Sequence, residues 1–332
     1  MFETRITEMF GIKYPIIQGG LQGLADAELA SAVSNAGGLG IINSAMHNTT
    51  QSMRDEIRKA RSLTGNPIGI NINLFPTFRP VNIEDYIVTA LDEGVMVFET
   101  SGRSPVEYMK LFKQAGAKVF HKVPGIRYAE SVERLGVDAV AVVGYECGGH
   151  PGQDDVTSMI LIPKAADTLK VPLIAAGGIA DARGFIAAMA MGADAVLMGT
   201  RFVMTKECRA HPNVKKLILE KNETDTVIVM RSIKNAARAM RNKAAETILQ
   251  MENRGATLEE LRPLIGGEMA KKVLYDGEVD AGILDIGEVI GLIHDIPTVA
   301  ELMERMVSEA QEICQRVAKL GQDKVAAGRA RR

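Results

Sequence analysis

Short apolar segments rich in valine and isoleucine alternate with longer segments of helical periodicity over residues 15–202. Continuous apolar runs of this length are typical of strands buried on both faces, as in parallel sheets. Eight alternating strand and helix units predict an α/β fold, the (β/α)8 TIM barrel. A doubly wound open sheet is the alternative, because strand order cannot be read from a single sequence. The predicted strands are PIIQGG (15–20), GLGIINS (38–44), IGININ (68–73), VMVFETS (95–101), KVFHKV (118–123), AVAVVGYE (139–146), PLIAAGGI (172–179) and DAVLMGTRF (194–202).

The alternation stops after Phe202, and residues 207–293 follow a mainly helical pattern. We therefore predict a barrel over residues 1–220, completed by a C-terminal helix over 298–332, and a smaller helical domain over 221–297. Five basic side chains of that domain are predicted to share one helical face. We interpret this face as a solvated surface rather than a docking site for a nucleotide phosphate or an acidic protein. Its members are Arg231, Lys234, Arg238, Arg241 and Lys243.

The composition narrows the class of partner. The 332-residue chain is 46% hydrophobic and has a formal net charge of -2, without a long basic run before the terminal GRARR, which argues against a nucleic-acid partner. Three cysteines without a CxxC spacing, Cys147, Cys208 and Cys314, fit a reducing compartment. The sequence shows neither a secretory leader nor an apolar run long enough to span a bilayer. We therefore expect a cytoplasmic protein with small-molecule partners and no membrane partner.

Polar residues and glycines cluster where the predicted strands end, and the active sites of TIM barrels form at these ends. The first strand ends in Gly19 and Gly20, and the third contains Asn71 near its end. The fifth contains His121 and Lys122. Because neighbouring side chains of a strand point to opposite faces, we assign Lys122 to the barrel interior and His121 to a structural role.

Glycines also follow the seventh and eighth predicted strands, the usual place of a phosphate site in a TIM barrel. Their backbone N–H groups can approach phosphate oxygens, and a helix that begins near Asp181 would add the favourable end of its dipole. The alternative is that these glycines only form tight turns. The residues concerned are Gly177, Gly178, Gly199 and Thr200.

A phosphate site does not by itself identify a cofactor. A planar heterocycle needs close backbone approach and hydrogen-bond donors at its polar edge, and FMN fits the groups available. Lys122 has two other interpretations, a Schiff-base lysine of a phosphosugar lyase and an ion pair with a carboxylate such as Glu146. The groups predicted to contact the ring are Gly19, Gly20, Asn71 and Lys122.

The segment YECGGHPGQDD (145–155) places one imidazole, His150, among glycines at the end of the sixth predicted strand. An imidazole can donate or accept a proton near neutral pH, so we predict an active-site role for His150. The thiol and carboxylates of the same segment match no zinc spacing, and we predict no metal site. Asp154 and Asp155 have no assigned role.

Four motifs together resemble the nitronate monooxygenase family, also called 2-nitropropane dioxygenases, which consists of FMN-dependent TIM-barrel oxidoreductases. They are PIIQGGLQGLADAELASAVSNAGGLGII, ECGGHPGQDD, PLIAAGGIADARG and DAVLMGTRF, and the likeness continues into MRSIKNAARAMRN. The resemblance implies FMN as cofactor and His150 as the active-site histidine. It implies flavin contacts at Gly19, Gly20, Asn71, Lys122, Gly148, Gly149, Gly177, Gly178, Gly199 and Thr200.

The resemblance implies an activity only coarsely, because the same fold serves several reactions. We expect oxidation of alkyl nitronates with oxygen to carbonyl compounds and nitrite. The alternatives are an NAD(P)H:quinone reductase and an FMN-dependent enoyl-acyl-carrier-protein reductase. Enoyl reductases more often have an aliphatic residue where this chain has Pro151, and quinone reductases are expected to have a glutamine where it has Phe78. A homodimer is common among the proteins that this chain resembles.

Overall fold

The computed structural model describes residues 2–75 and 81–329. Phe78, where a quinone reductase is expected to have glutamine, lies outside these residues. Of the side chains in the last helical turns, those up to residue 320 are described.

Eight parallel strands form a closed barrel, which confirms the predicted fold. Each strand pairs with its neighbour in the chain, and β1 pairs with β8 in the register Ile17 to Leu197. A bridge between Ile17 and Leu39 joins β1 to the start of β2, so the sheet has no open edge. An open doubly wound sheet is thereby excluded. The strands are β1 (Ile16–Gln18), β2 (Gly40–Asn43), β3 (Ile68–Asn73), β4 (Val97–Ser101), β5 (Lys118–Val123), β6 (Ala139–Val143), β7 (Leu173–Ala176) and β8 (Ala195–Met198).

Helices cover the outside of the barrel. Most begin at a side-chain cap, such as Asp26, which accepts a hydrogen bond from the backbone N–H of Leu29. The helices up to the end of the barrel are α1 (Arg5–Phe10), α2 (Ala27–Asn35), α3 (Thr50–Leu63), α4 (Ile83–Asp92), α5 (Met109–Ala115), α6 (Ile126–Leu135), α7 (Ser158–Thr168), α8 (Ala182–Ala190), α9 (Thr200–Val203) and α10 (Pro212–Leu219).

The barrel has two apolar layers, because successive side chains of each strand point inward and outward in turn. The inner layer includes Ile17, Ile41 and Phe120, and α1 closes the amino-terminal end of the barrel with Ile6 and Phe10. The outer layer lies between the sheet and the helices. This alternation places Lys122 on the inner side with Phe120, and it places the buried His121 on the outer side, as predicted.

Residues 221–297 contain a β-hairpin as well as helices. Strands β9 (Thr226–Val229) and β10 (Ala237–Met240) pair antiparallel. The prediction of one basic helical face over residues 231–243 is therefore wrong. The β-branched run TVIV favours a strand, and positive φ angles of 62° at Met230 and 56° at Lys234 turn the chain back. The helices that follow are α11 (Lys243–Glu252), α12 (Leu258–Ile265) and α13 (Gly267–Lys271), with a π-helical turn over Lys272–Asp276 and a 3-10 helix over Glu288–Leu292.

The C-terminal helix α14 (Val299–Arg329) packs against α2 and α8 of the barrel. Its buried face includes Leu302, Met303 and Met306. The division into a barrel domain over 1–220 and 298–332 and a smaller domain over 221–297 stays a prediction. Within the described residues, no helix is both long enough and apolar enough to cross a membrane.

His121 predicts how stability depends on pH. Its ring is 2% exposed, and its Nδ1 lies 2.8 Å from Thr100 Oγ1. Burial lowers the pKa of His121 from 6.5 to about 4, and the charge of Lys122 acts in the same direction. Between these values the unfolded chain binds a proton that the folded chain does not. The free energy of unfolding should therefore fall by about 3 kcal/mol as pH falls through this window.

Urea unfolding at several pH values measures this dependence of the free energy of unfolding on pH. His121→Gln should unfold with a clearly smaller loss of stability between pH 6.5 and pH 4 than the wild-type protein. His294→Gln is the matched control, because His294 is exposed, and its pH dependence should equal that of the wild type. If the free energy of unfolding depended on pH equally in the wild type and in His121→Gln, the lowered pKa of His121 would be contradicted.

Candidate active site

The buried carboxylate of Glu99 organises the centre of the barrel mouth. Its Oε1 accepts a hydrogen bond of 2.7 Å from Lys122 Nζ, and its Oε2 accepts one of 2.8 Å from the backbone N–H of Gly20. The Glu99 side chain is fully buried, whereas Lys122 is 28% exposed. The ammonium of Lys122 is therefore held at the surface of the barrel mouth by a carboxylate beneath it. Sequence reasoning missed Glu99 and offered Glu146 as the partner of Lys122.

Gly19 and Gly20 allow close packing at the end of β1. A Cβ on Gly20 would overlap the side chain of Asn71, and one on Gly19 would lie 2.7 Å from Leu197 Cδ2. Their backbone N–H groups already donate to protein acceptors, to Met198 O from Gly19 and to Glu99 from Gly20. Glycine is therefore required at both positions by packing within the protein, and neither backbone N–H is free to donate to a ligand. The predicted contacts of Gly19 and Gly20 with the ring stay predictions.

Free backbone donors do occur after β7 and β8. Gly177 and Gly178 adopt φ angles of 85° and 75°, a conformation that favours glycine. Thr200 Oγ1 accepts a hydrogen bond of 3.0 Å from Gly287 N, which leaves its O–H free to donate elsewhere. Within the ranges that the structure describes, the backbone N–H groups of these two loops that have no acceptor include those of Gly177, Gly178, Gly199 and Thr200.

The start of α8 differs from our expectation. The Asp181 carboxylate accepts hydrogen bonds from the backbone N–H groups of Arg183 and Gly184, at 2.9 Å and 3.2 Å. A carboxylate already occupies the favourable end of this helix dipole, so α8 does not offer an open anion site. The unpaired N–H groups of the β7 and β8 loops therefore remain as candidate donors to an anion.

His150 lies on a closed loop, residues 145–156, which we call the His150 loop. A hydrogen bond of 2.9 Å from Tyr145 N to Val156 O joins its two ends. Glu146 caps α7 by accepting hydrogen bonds from the backbone N–H and hydroxyl of Ser158, and so is not the partner of Lys122. His150 is exposed, and its ring centroid lies 5.1 Å from that of Phe75. Sequence reasoning missed Phe75.

The two glycines before His150 have different surroundings. A Cβ on Gly148 would lie 2.7 Å from the backbone of Ile286, so glycine is required there by close packing. Gly149 has a φ of 76°, and a Cβ placed on it would meet no atom within 4 Å. The Gly149 Cα therefore borders open space. Its N–H is not a free donor, because it bonds to Arg238 O at 3.0 Å.

Two further titratable groups lie near His150. Burial raises the pKa of the Cys147 thiol to about 12, so a reactive thiolate is disfavoured there. Asp285 is exposed, but the protein atoms around its carboxyl displace part of its hydration and raise its pKa, while the charge of His150 lowers it. No sequence pattern pointed to Asp285.

The acidic pair of the His150 loop forms ion pairs. Asp155 accepts from Arg231 at 2.7 Å, and Asp154 lies 3.9 Å from Arg127. Arg231 belongs to the segment between β9 and β10, so Asp155 attaches the loop to the hairpin. Among residues 2–75 and 81–329, no group of histidine, cysteine, aspartate or glutamate side chains is arranged to hold a metal ion.

Known proteins share this architecture over most of the chain. The sequence model of the nitronate monooxygenase family matches residues 3–93 and 77–309. A Staphylococcus aureus protein named "Probable nitronate monooxygenase" is 32% identical over 75% of this chain and 81% of its own.

Two other similarities cover more of the chain. A Rhodococcus jostii protein named (3aS,4S,5R,7aS)-5-hydroxy-7a-methyl-1-oxo-octahydro-1H-indene-4-carboxyl-CoA dehydrogenase is 31% identical over 92% of this chain and 95% of its own. The solved structure of FabK from Thermotoga maritima is 34% identical, covers 96% of this chain and 100% of its own, and superimposes with a TM-score of 0.90. The chain therefore belongs to the nitronate monooxygenase family of oxidoreductases.

Proposed function

We propose that this protein is an FMN-dependent oxidoreductase. The observation that carries the proposal is the set of unpaired backbone N–H groups at the ends of β7 and β8, on Gly177, Gly178, Gly199 and Thr200. Unpaired backbone N–H groups at the ends of two neighbouring strands can bind a phosphate together, because each offers a positive partial charge. The Thr200 hydroxyl adds a further donor. Under this proposal the loops hold the FMN phosphate.

The flavin ring would lie across the barrel mouth. Lys122 supplies an ammonium group for its polar edge, and the buried Glu99 carboxylate holds that group in place at 2.7 Å. Asn71 offers an amide next to Gly20. The open side of Gly149 allows close approach from the His150 loop. The proposal places the planar heterocycle between these groups.

His150 is the group we propose to act on the substrate. When bound, FMN would accept electrons from the substrate or deliver them. The imidazole can donate a hydrogen bond to the oxygen of a nitronate, or accept a proton from a neutral nitroalkane. Phe75 packs near the imidazole and restricts its orientation.

Oxidation of alkyl nitronates with oxygen, to carbonyl compounds and nitrite, is the substrate assignment we place first. The family match over residues 3–93 and 77–309 and the Staphylococcus aureus relative support it. A compact hydrogen-bond donor beside an exposed flavin face suits a small anionic nitronate.

Reduction of an enoyl thioester with NAD(P)H is the second candidate. The likeness to FabK extends over 96% of this chain at 34% identity, and a relative of 31% identity is named as a dehydrogenase of a CoA ester. An FMN-dependent enoyl-acyl-carrier-protein reductase is also one of the activities that the family resemblance allows. NAD(P)H:quinone reduction stays a prediction without a specific observation in its favour.

The Schiff-base lyase has less support. A Schiff-base lysine must present an uncharged amine to a carbonyl group. Lys122 is instead in an ion pair with a carboxylate that is fully buried. A cytoplasmic location and a homodimer both stay predictions.

Thr200 tests the phosphate site. Thr200→Ala removes a hydroxyl donor, and a hydrogen bond to a charged group contributes about 2 kcal/mol, so the FMN dissociation constant should rise about 30-fold. Fluorescence titration of the apoprotein with FMN measures this constant. Thr200→Ser should bind like the wild type, and so should Thr247→Ala, whose side chain is exposed on α11. Unchanged FMN affinity in Thr200→Ala would contradict the proposed phosphate site.

Anaerobic stopped-flow mixing tests the substrate. The FMN-loaded protein should lose its flavin absorbance rapidly with an alkyl nitronate, and slowly with NADH or NADPH. His150→Ala should slow the nitronate reaction by about 100-fold or more, because positioned proton donors and acceptors contribute at least that factor. His294→Ala, with an exposed histidine, should react like the wild type. Fast bleaching by NAD(P)H, with turnover of an enoyl thioester and none of a nitronate, would select the second candidate.

A further inference from the structure

The hairpin β9–β10 holds the His150 loop through its backbone. Arg238 N donates to Gly149 O at 2.6 Å, and Gly149 N donates to Arg238 O at 3.0 Å. This pair of hydrogen bonds is an antiparallel bridge, so the His150 loop pairs with β10 of the hairpin at one position. Gly149 is adjacent to His150 in the chain. The backbone position of His150 is therefore fixed by a residue that lies far away in the sequence.

The guanidinium of Arg238 holds the base of the same loop. Its Nε and Nη2 donate to the carbonyl oxygen of Tyr145 at 3.2 Å and 3.1 Å, and its Cζ lies 4.4 Å from the centroid of the Tyr145 ring. Its Nη1 donates to Thr226 Oγ1 at 2.9 Å. The side chain is only 3% exposed. A buried arginine in this position satisfies a carbonyl and stacks on an aromatic ring at once, which a lysine cannot do equally well.

Residues 286–288 also contact both Arg238 and the His150 loop. Glu288 pairs with Arg238 Nη1 at 2.9 Å, and its backbone N–H donates to Glu146 O at 3.0 Å. The backbone of Ile286 and Gly287 lies directly against Gly148. Removing the Arg238 guanidinium would leave the Glu288 carboxylate without its buried partner and Tyr145 O without its donors.

We propose that Arg238 is a positioning residue for the active-site histidine, which it holds over the barrel mouth through Tyr145, Gly149 and Glu288. This inference rests on the role of His150 in the proposed function. Arg238 itself does not touch the space assigned to the flavin or the substrate. Its effect is to keep the His150 loop in one conformation, so that the imidazole is already oriented when the substrate binds.

Amide hydrogen exchange tests the structural half of the proposal, and it does not depend on any activity. In Arg238→Met, the amides of residues 145–156 should exchange faster than in the wild type, because the loop loses its anchor. Arg238→Lys keeps the charge with fewer donors and should give an intermediate rate. Arg241→Met is the matched control, because Arg241 follows β10 and pairs with Glu246 at an exposed position, and its exchange should be unchanged.

Kinetics of the FMN-loaded protein test the catalytic half. A displacement of about 1 Å can cost about 100-fold in rate, so kcat of Arg238→Met should fall by that order while the amount of bound FMN and its absorbance spectrum stay as in the wild type. Arg238→Lys should recover part of kcat. In a His150→Ala background, Arg238→Met should cause little further loss, because both changes act through the same imidazole.

The outcomes separate this proposal from the proposed function. Unchanged exchange in Arg238→Met, or faster exchange with wild-type kcat, would overturn the positioning role. Independent, multiplicative losses in the double variant would do the same. If Arg238→Met does not fold, Arg238→Lys decides, and wild-type exchange and kcat in that variant would count against the proposal. Absence of turnover in the wild-type protein with nitronates, NAD(P)H and enoyl thioesters would instead refute the proposed function, while the exchange result still decides whether Arg238 anchors the loop.

Discussion

Parallel pairing of β1 with β8 closes the sheet, and this closure determines where the strand ends and the loops after them lie at the mouth of the barrel. Because all eight strands run in the same direction, their carboxyl ends meet on one rim. Residues that are far apart in the chain, such as Gly20, Lys122 and Thr200, thereby lie around one opening. The closed sheet also leaves no unpaired edge, so the rim loops are supported by a rigid frame.

Two buried or nearly buried charged groups shape the rim, and each is paired. The fully buried Glu99 holds Lys122 and the backbone of Gly20, while the 3% exposed Arg238 holds Tyr145 and is balanced by Glu288. Burying a charge costs free energy unless a partner and hydrogen bonds compensate it. We therefore infer that these pairs hold side chains and backbone in place. Glu99 positions Lys122 beneath the proposed flavin edge, and Arg238 supports the His150 loop.

The barrel could be predicted from sequence because each of its strands is marked by a pattern within a few neighbouring residues. Each strand is a short apolar run, and each strand end shows its own polar or glycine residues. Strand alternation predicted that Lys122 and His121 point to opposite faces, and Lys122 was assigned to the inner face. The glycines after β7 and β8 were recognised for the same reason.

Long-range partners could not be predicted in this way. Glu99 is 79 residues from Gly20, and Arg238 is 93 residues from Tyr145, so no spacing rule connects them. The prediction of a basic helical face over residues 231–243 is wrong because the β-branched run TVIV forms a strand and the chain returns beside it as β10. The free or occupied state of a backbone N–H, as at Gly178 and Gly149, depends on tertiary contacts that appear only in the folded chain.

In the proposed binding mode, the loops after β7 and β8 hold the phosphate of a flavin whose ring lies below His150. A crystal structure of the protein with FMN should show phosphate oxygens within hydrogen-bonding distance of the backbone N–H groups of Gly178 and Thr200. It should also show Lys122 Nζ at the polar edge of the ring and the His150 loop above it. A flavin bound elsewhere, or a phosphate that makes no contact with these N–H groups, would contradict this binding mode.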